Sequence, residues 1–203
     1  MKNLRYFFIY LLVIGIPLLV KAESKTLVLL GDSLTEGLGV SADQAYPHLL
    51  EQKIKEIGKT WKVINSGVSG STTASAASRM KWILKSKPQL IILALGANDG
   101  LRGVDVENTK KNLIAAIDIA AQEKIPVVLA GIYMPPNYGK NYTEKFNKIF
   151  PEISKTKKIR LIPFLLDGVA GIPEHNLPDG IHPNEKGHRI IADNLFRQIK
   201  DLL

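Results

Sequence analysis

With 203 residues the chain has room for one domain whose core is covered on both faces, and the absence of cysteine excludes a disulfide framework and any thiolate metal site. The formal charge is +8, but the lysines are scattered over helical faces (Lys53, Lys55, Lys81, Lys85, Lys110, Lys111, Lys124) and not interleaved with aromatic residues, which excludes a nucleic-acid platform. The densest cluster, Lys155 to Lys158, falls at an expected helix end, where cations complement the macrodipole, so the charge reads as a solvated surface with some transient attraction to anionic lipid.

Residues 1–22 read as a secretory signal peptide. Lys2 and Arg5 make a positive start, Tyr6 to Val20 is an uninterrupted apolar run, and Val20 and Ala22 suit the small-residue positions of a cleavage site after Ala22. The run is shorter than the about 20 residues of a spanning helix. Residues 23–203 are then expected as a single exported domain, in the periplasm or outside the cell; the alternative is an uncleaved segment anchored in the inner membrane. Lys2, Arg5 and Lys21 carry three of the eight net charges, so the remainder keeps +5.

Past this segment, strands and helices alternate. Thr26 to Leu30 is a buried-strand pattern ending at Gly31. Ser41 and Gln44 offer a capping box ahead of a helix bearing Tyr46, Leu49, Leu50, Ile54 and Ile57, up to Gly58. Trp61 to Ile64 reads as the second strand, Thr73 to Lys85 as a helix, Leu90 to Leu95 as the third strand, Asp105 to Lys124 as a long amphipathic helix and Pro126 to Ile132 as the fourth strand. Tyr133 to Asn141 is a loop, and Asn141 with Glu144 offers a capping box for a helix ending near Lys155. Ile159 to Ile162 makes the fifth strand, Pro163 to Ile181 a long loop, and Pro183 to Leu203 the last helix. This alternation predicts an α/β fold in three layers: a parallel five-stranded sheet of flavodoxin-like order 2-1-3-4-5 with helices on both faces.

Three short segments follow strands directly: Gly31-Asp32-Ser33-Leu34, Asn65-Ser66-Gly67 and Gly96-Ala97-Asn98-Asp99. A fourth, Asp179-Gly180-Ile181-His182, precedes the last helix. Parallel strands end at one edge, so all four converge on the crevice beyond it. Acyl transfer needs an activated nucleophile, an oriented base and donors for a developing oxyanion. Ser33 fits the nucleophile, His182 the base and Asp179 the group that fixes the imidazole tautomer. The backbone N–H groups of Ser33 and Gly67 and the amide of Asn98 fit an oxyanion hole. A glycine lets an oxygen approach the main chain, and a neutral amide donates without a titrating charge. With strand one between strands two and three, Ser33 lies between Gly67 and Asn98.

Several motifs are missing. No Gly-x-Gly-x-x-Gly or Gly-Lys-Ser/Thr occurs, which disfavours nucleotide cradling, and Thr35 breaks the Gly-x-Ser-x-Gly elbow of the standard α/β-hydrolases. His48 and His188 read as helix residues and His175 as a loop residue; Asp32 and Asp99 read as structural.

The four blocks resemble those of the SGNH (GDSL) hydrolases, over essentially the whole chain past residue 22. Asn98-Asp99-Gly100-Leu101-Arg102-Gly103, Pro136-Asn137-Tyr138-Gly139 with Tyr142 and Phe146, and Phe150-Pro151 are similar to the branch of secreted arylesterases and thioesterase I/lysophospholipase L1 enzymes. One departure is Ser71, where that branch typically carries Asp. The resemblance implies a monomeric serine esterase acting through an acyl-enzyme on acyl esters and thioesters, among them lysophospholipid, acyl-CoA-like and aryl ester substrates, with no cofactor and no metal. It also implies an apolar groove walled by Tyr133, Met134, Pro135 and Tyr138 and by the loop holding Ile172 and Ile181. A carbohydrate O-acetyl esterase and a non-catalytic lipid-binding protein on the same scaffold are the other readings.

Overall fold

A computed structural model describes residues 25–203; the expected signal peptide lies outside the described residues. Five parallel strands, β1 (Lys25–Gly31), β2 (Trp61–Gly67), β3 (Leu90–Ala94), β4 (Val127–Ala130) and β5 (Arg160–Ile162), form one sheet of order β2-β1-β3-β4-β5. This is the expected order, with strand ends within a few residues of those read from the sequence. The central strands β1 and β3 are apolar on both faces because both faces are covered, and Leu27, Leu29, Leu30, Ile91, Ile92 and Leu93 are fully buried. Each such side chain contributes about 1.5–3 kcal/mol of burial. The edges are blunted: β5 is only three residues long, and β2 exposes Lys62 and Asn65.

The helices are α1 (Ser33–Glu36), α2 (Tyr46–Glu56), α3 (Ala76–Leu84), α4 (Ala97–Leu101), α5 (Val106–Gln122), α6 (Lys140–Lys157) and α7 (Glu185–Ile199). Helix α2 packs on α7 over one face of the sheet, while α3, α5 and α6 pack side by side over the other. This division follows from right-handed crossovers: the chain steps from β1 outward to β2, then reverses direction through β3, β4 and β5.

Two capping expectations are overturned. Ser41 donates both its N–H and its hydroxyl to Gln44 Oε1, which closes a turn and not a reciprocal box, and α2 starts later at Tyr46, after Ala45, with Pro47 in its first turn. Asn141 does not cap α6, which begins at Lys140 after Gly139. In both places a polar pair with box spacing lies beside a residue whose backbone already sets the helix entry: Pro47 by its fixed φ, Gly139 by a φ of 88°. Short helices α1 and α4 have no apolar periodicity and were not anticipated. Each is a single turn folded where the chain leaves a strand.

Candidate active site

The nucleophile block is shaped by α1. Asp32 caps this turn, its Oδ1 accepting from the Leu34 N–H at 3.0 Å, and Ser33 is the first helical residue, with its side chain nearly buried. Two glycines let α1 sit against the sheet. A Cβ on Gly31 would lie 1.8 Å from Thr35 Oγ1, and one on Gly67 would lie 2.1 Å from the Glu36 nitrogen. Gly67 is therefore needed for close packing of α1, a different reason from the substrate approach expected of it. Arg79, from α3, ties the same strand ends together by donating to the carbonyls of Gly31 (2.9 Å) and Ser66.

Opposite Ser33 stands the Asp179–His182 turn. Asp179 Oδ1 accepts from the N–H groups of Ile181 (2.9 Å) and His182 (3.0 Å), while Oδ2 meets His182 Nδ1 at 2.7 Å. The two-residue gap is what allows one carboxylate to hold both its own turn and the imidazole. These bonds, the His182 backbone N–H foremost, then its imidazole, then the Ile181 N–H, hold the Asp179 carboxyl down at about 2. The ionised carboxylate places the proton on Nδ1. The Nε2 lone pair then faces Ser33 Oγ at 2.9 Å.

Asn98 projects from the first turn of α4, after Gly96 at φ 127°. Its Nδ2 donates to the Ser71 carbonyl at 3.1 Å, and among the described residues the second N–H of the amide meets no acceptor. Because this contact uses the main chain of residue 71, the Ser71 departure leaves it intact. The Gly67 N–H is not free in the same way: it donates to Asn65 Oδ1 at 2.9 Å, and Asn65 Nδ2 reaches the Glu36 carbonyl.

The remaining candidates separate as expected. Asp99 accepts from the Thr73 N–H and hydroxyl and is structural. His48 meets Gln52, His175 Nδ1 meets the Gly168 carbonyl, and buried His188 accepts from the Tyr46 N–H, burial holding it neutral with a pKa of about 4. Among the described residues no three His, Cys, Asp or Glu side chains gather as a metal site would require.

Asp32 is buried with Oδ2 unpartnered, and that burial pushes its carboxyl up to about 6, against the pull of the Leu34 N–H. The native state thus binds this proton more tightly than the unfolded chain. The carboxylate destabilises the fold progressively as pH rises from about 4 to about 6, by about 3 kcal/mol in all. Asp32→Asn keeps the Oδ1 acceptor for Leu34 and removes the titration. Relative to the parent, the variant should gain about 3 kcal/mol in urea unfolding between pH 4 and pH 7. Parallel pH profiles would refute the assignment.

Ser33, Asn98 and His182 meet at one end of a cavity of about 500 Å³. Its apolar walls include Tyr133, Met134, Pro135 and Ile181, and Tyr133 stacks on Phe164 at 4.7 Å between ring centroids. Tyr138 and Ile172 are a correction: neither lines it. Tyr138 lies in the turn beyond the lining residue Pro135, and the Ile172 carbonyl is bound into the turn that carries Asn176. Leu34, Leu101, Ile132, Phe164 and Leu166 do line it and were not singled out, since they come from segments after β1, β3, β4 and β5 that only the fold brings around one space.

The family model for the GDSL-like Lipase/Acylhydrolase family matches residues 29–190, a stretch that includes every polar group of this site. The chain belongs to that family. As a GDSL-like acylhydrolase it is an SGNH-type serine esterase. It is 35% identical to Esterase TesA of Pseudomonas aeruginosa over 90% of this chain and 92% of that protein. It is 36% identical to Thioesterase 1/protease 1/lysophospholipase L1 of Escherichia coli K12 over 90% of this chain and 86% of that one. A crystal structure of TesA superposes with a TM-score of 0.85 at 35% identity, covering 88% of this chain and 100% of its own.

Proposed function

We propose that this GDSL-like acylhydrolase is an exported enzyme, with residues 1–22 as its signal peptide and 23–203 as one catalytic domain, that cleaves acyl esters and thioesters carrying an apolar acyl chain. One observation carries the reading: His182 bridges Ser33 Oγ at 2.9 Å and Asp179 at 2.7 Å, at the polar end of an apolar cavity.

In this reading Ser33 Oγ attacks the substrate carbonyl carbon while His182 Nε2 takes its proton. The oxyanion is met by the Ser33 N–H and the free Nδ2–H of Asn98, with the Gly67 N–H, now bonded to Asn65, as third donor. Collapse expels the alcohol or thiol, protonated by His182, and leaves the acyl group on Ser33. Water, deprotonated by the same imidazole, then releases the acid. The acyl chain occupies the cavity between Met134, Pro135 and Ile181. The walls are apolar and the names of the similar proteins include thioesterase and lysophospholipase activities, which support aryl ester, acyl-CoA-like and lysophospholipid substrates over carbohydrate acetates.

A chain-length series of p-nitrophenyl esters tests this. Rising kcat/KM from acetate toward medium chains is expected, at about 0.8 kcal/mol, or roughly fourfold, per buried methylene. A sharp preference for acetate would favour the O-acetyl esterase. No turnover of any ester would leave a lipid-binding protein.

A further inference from the structure

Each helix that joins two strands runs back antiparallel to the sheet, so all four helix-to-strand turns and the start of β1 fall on the edge opposite the catalytic mouth. Every one of them presents a lysine. In sheet order these are Lys59 before β2, Lys25 opening β1, and Lys87, Lys124 and Lys158 before β3, β4 and β5. All five are exposed, one per strand, with about 4.8 Å between neighbouring strands. Among the described residues none lies within salt-bridge reach of a carboxylate side chain; Lys59 meets the Leu203 carbonyl and Lys25 lies over the Trp61 ring. Among the described residues exposed Glu56 and Glu123 flank the row in sequence and Asp201 pairs with Arg160 at the start of β5, while Lys62 and Lys85 add further charge. Acidic side chains gather at the other edge instead: Asp32, Glu36, Asp99, Asp105 and Asp179 all follow strands or border the mouth.

Helix dipoles favour cations after a helix, but they do not account for two features of this row. Lys87, Lys124 and Lys158 have φ values of 48°, 58° and 54°, and among the described residues they are the left-handed positions not held by glycine. Glycine or asparagine takes that conformation more readily. Large apolar side chains also stand among the cations. Ile57, at the end of α2, and Leu202, after α7, are 48% and 39% exposed, while Trp82 of α3, 68% exposed, lies up the flank of the sheet beside Ile64 and Ser66.

We propose that this edge is a docking surface for an anionic phospholipid bilayer. Lysines supply attraction to the headgroups, and the apolar side chains of Ile57 and Leu202 between them suit the headgroup boundary. A nucleic acid would use the charge but not the aliphatic side chains. Docked this way, the domain turns its mouth to the solution, and ester substrates reach it from there. The surface does not depend on the substrate reading above.

The test is co-sedimentation of the exported domain, residues 23–203, with phosphatidylcholine vesicles, with and without one third phosphatidylglycerol, for the parent and for the triple variant Lys87→Asn, Lys124→Asn, Lys158→Asn. Asparagine suits the left-handed turns, so the variant should fold at least as stably and hydrolyse a short soluble ester at the parent rate. The parent should bind only the anionic vesicles and be released by about 0.5 M salt. Each lysine is expected to count for about fivefold, so the variant's partition should fall about 100-fold. Hydrolysis of the soluble ester should be unchanged on the vesicles. Absence of binding, equal binding to both vesicles, variant binding as tight as the parent's, or capture of duplex DNA in place of vesicles would each overturn the proposal. So would inhibition on the vesicle, which would put the mouth against the lipid.

Discussion

Ser33→Ala is expected to lower kcat for ester hydrolysis by about 10⁶, the loss typical when a serine nucleophile that works with an imidazole is removed. The effect is so large because the hydroxyl cannot be replaced by anything nearby. Ser33 Oγ is the atom 2.9 Å from His182 Nε2, and no cysteine or other serine lines the cavity. Stability should barely change. The hydroxyl makes one hydrogen bond, worth about 1 kcal/mol, and the Cβ that packs α1 is kept. The measurement is single-turnover hydrolysis of a p-nitrophenyl ester alongside a urea melt. Activity within a hundredfold of the parent, in a folded variant, would remove Ser33 from the mechanism.

Asp179→Asn should cost about 10⁴ in kcat with KM nearly unchanged, through the tautomer and not through charge alone. Asparagine has one carbonyl oxygen where aspartate has two acceptors. The backbone N–H groups of Ile181 and His182 claim that oxygen, as they now claim Oδ1, and turn the amide N–H₂ toward His182 Nδ1. A donor there stabilises the Nδ1-unprotonated ring. The proton then sits on Nε2, pointing at Ser33 Oγ, where a base must have its lone pair. Since the turn keeps its two backbone bonds, the melting midpoint should move little. The NMR signal of the ring proton, on Nδ1 in the parent and on Nε2 in the variant, separates this from a merely structural loss. A loss below tenfold would mean that the carboxylate does not set the tautomer.

Much of the fold was legible because buried strands announce themselves. β1 and β3 are apolar runs covered on both faces, and α5 carries Leu113, Ala116, Ile117 and Ala120 along its buried face. What failed were short-range polar patterns. Ser41 and Gln44 meet, but as a turn and not as a box that starts α2, because a local hydrogen bond of about 1 kcal/mol does not outweigh the burial of Tyr46 and the entry angle set by Pro47. In the site, Asp179 and His182 were readable as a pair since their contact is local, three residues apart. The cavity walls were not, for Tyr138 and Leu166 both lie in loop regions, and only the path of each loop decides which one reaches the cavity.

By itself the sequence determined the class of sheet, the strand ends that carry Ser33, Gly67 and Asn98, and the chemistry these residue types allow. Local apolar runs and spacing encode such features directly. The tertiary structure decided which groups meet. It brought Ser33 to His182 across 149 positions of chain, gave the Gly67 N–H to Asn65, left Asp32 Oδ2 buried without a partner and aligned five lysines on the far edge. Those outcomes rest on packing between elements distant in sequence, where distances of a few tenths of an ångström decide a hydrogen bond and no periodicity records them.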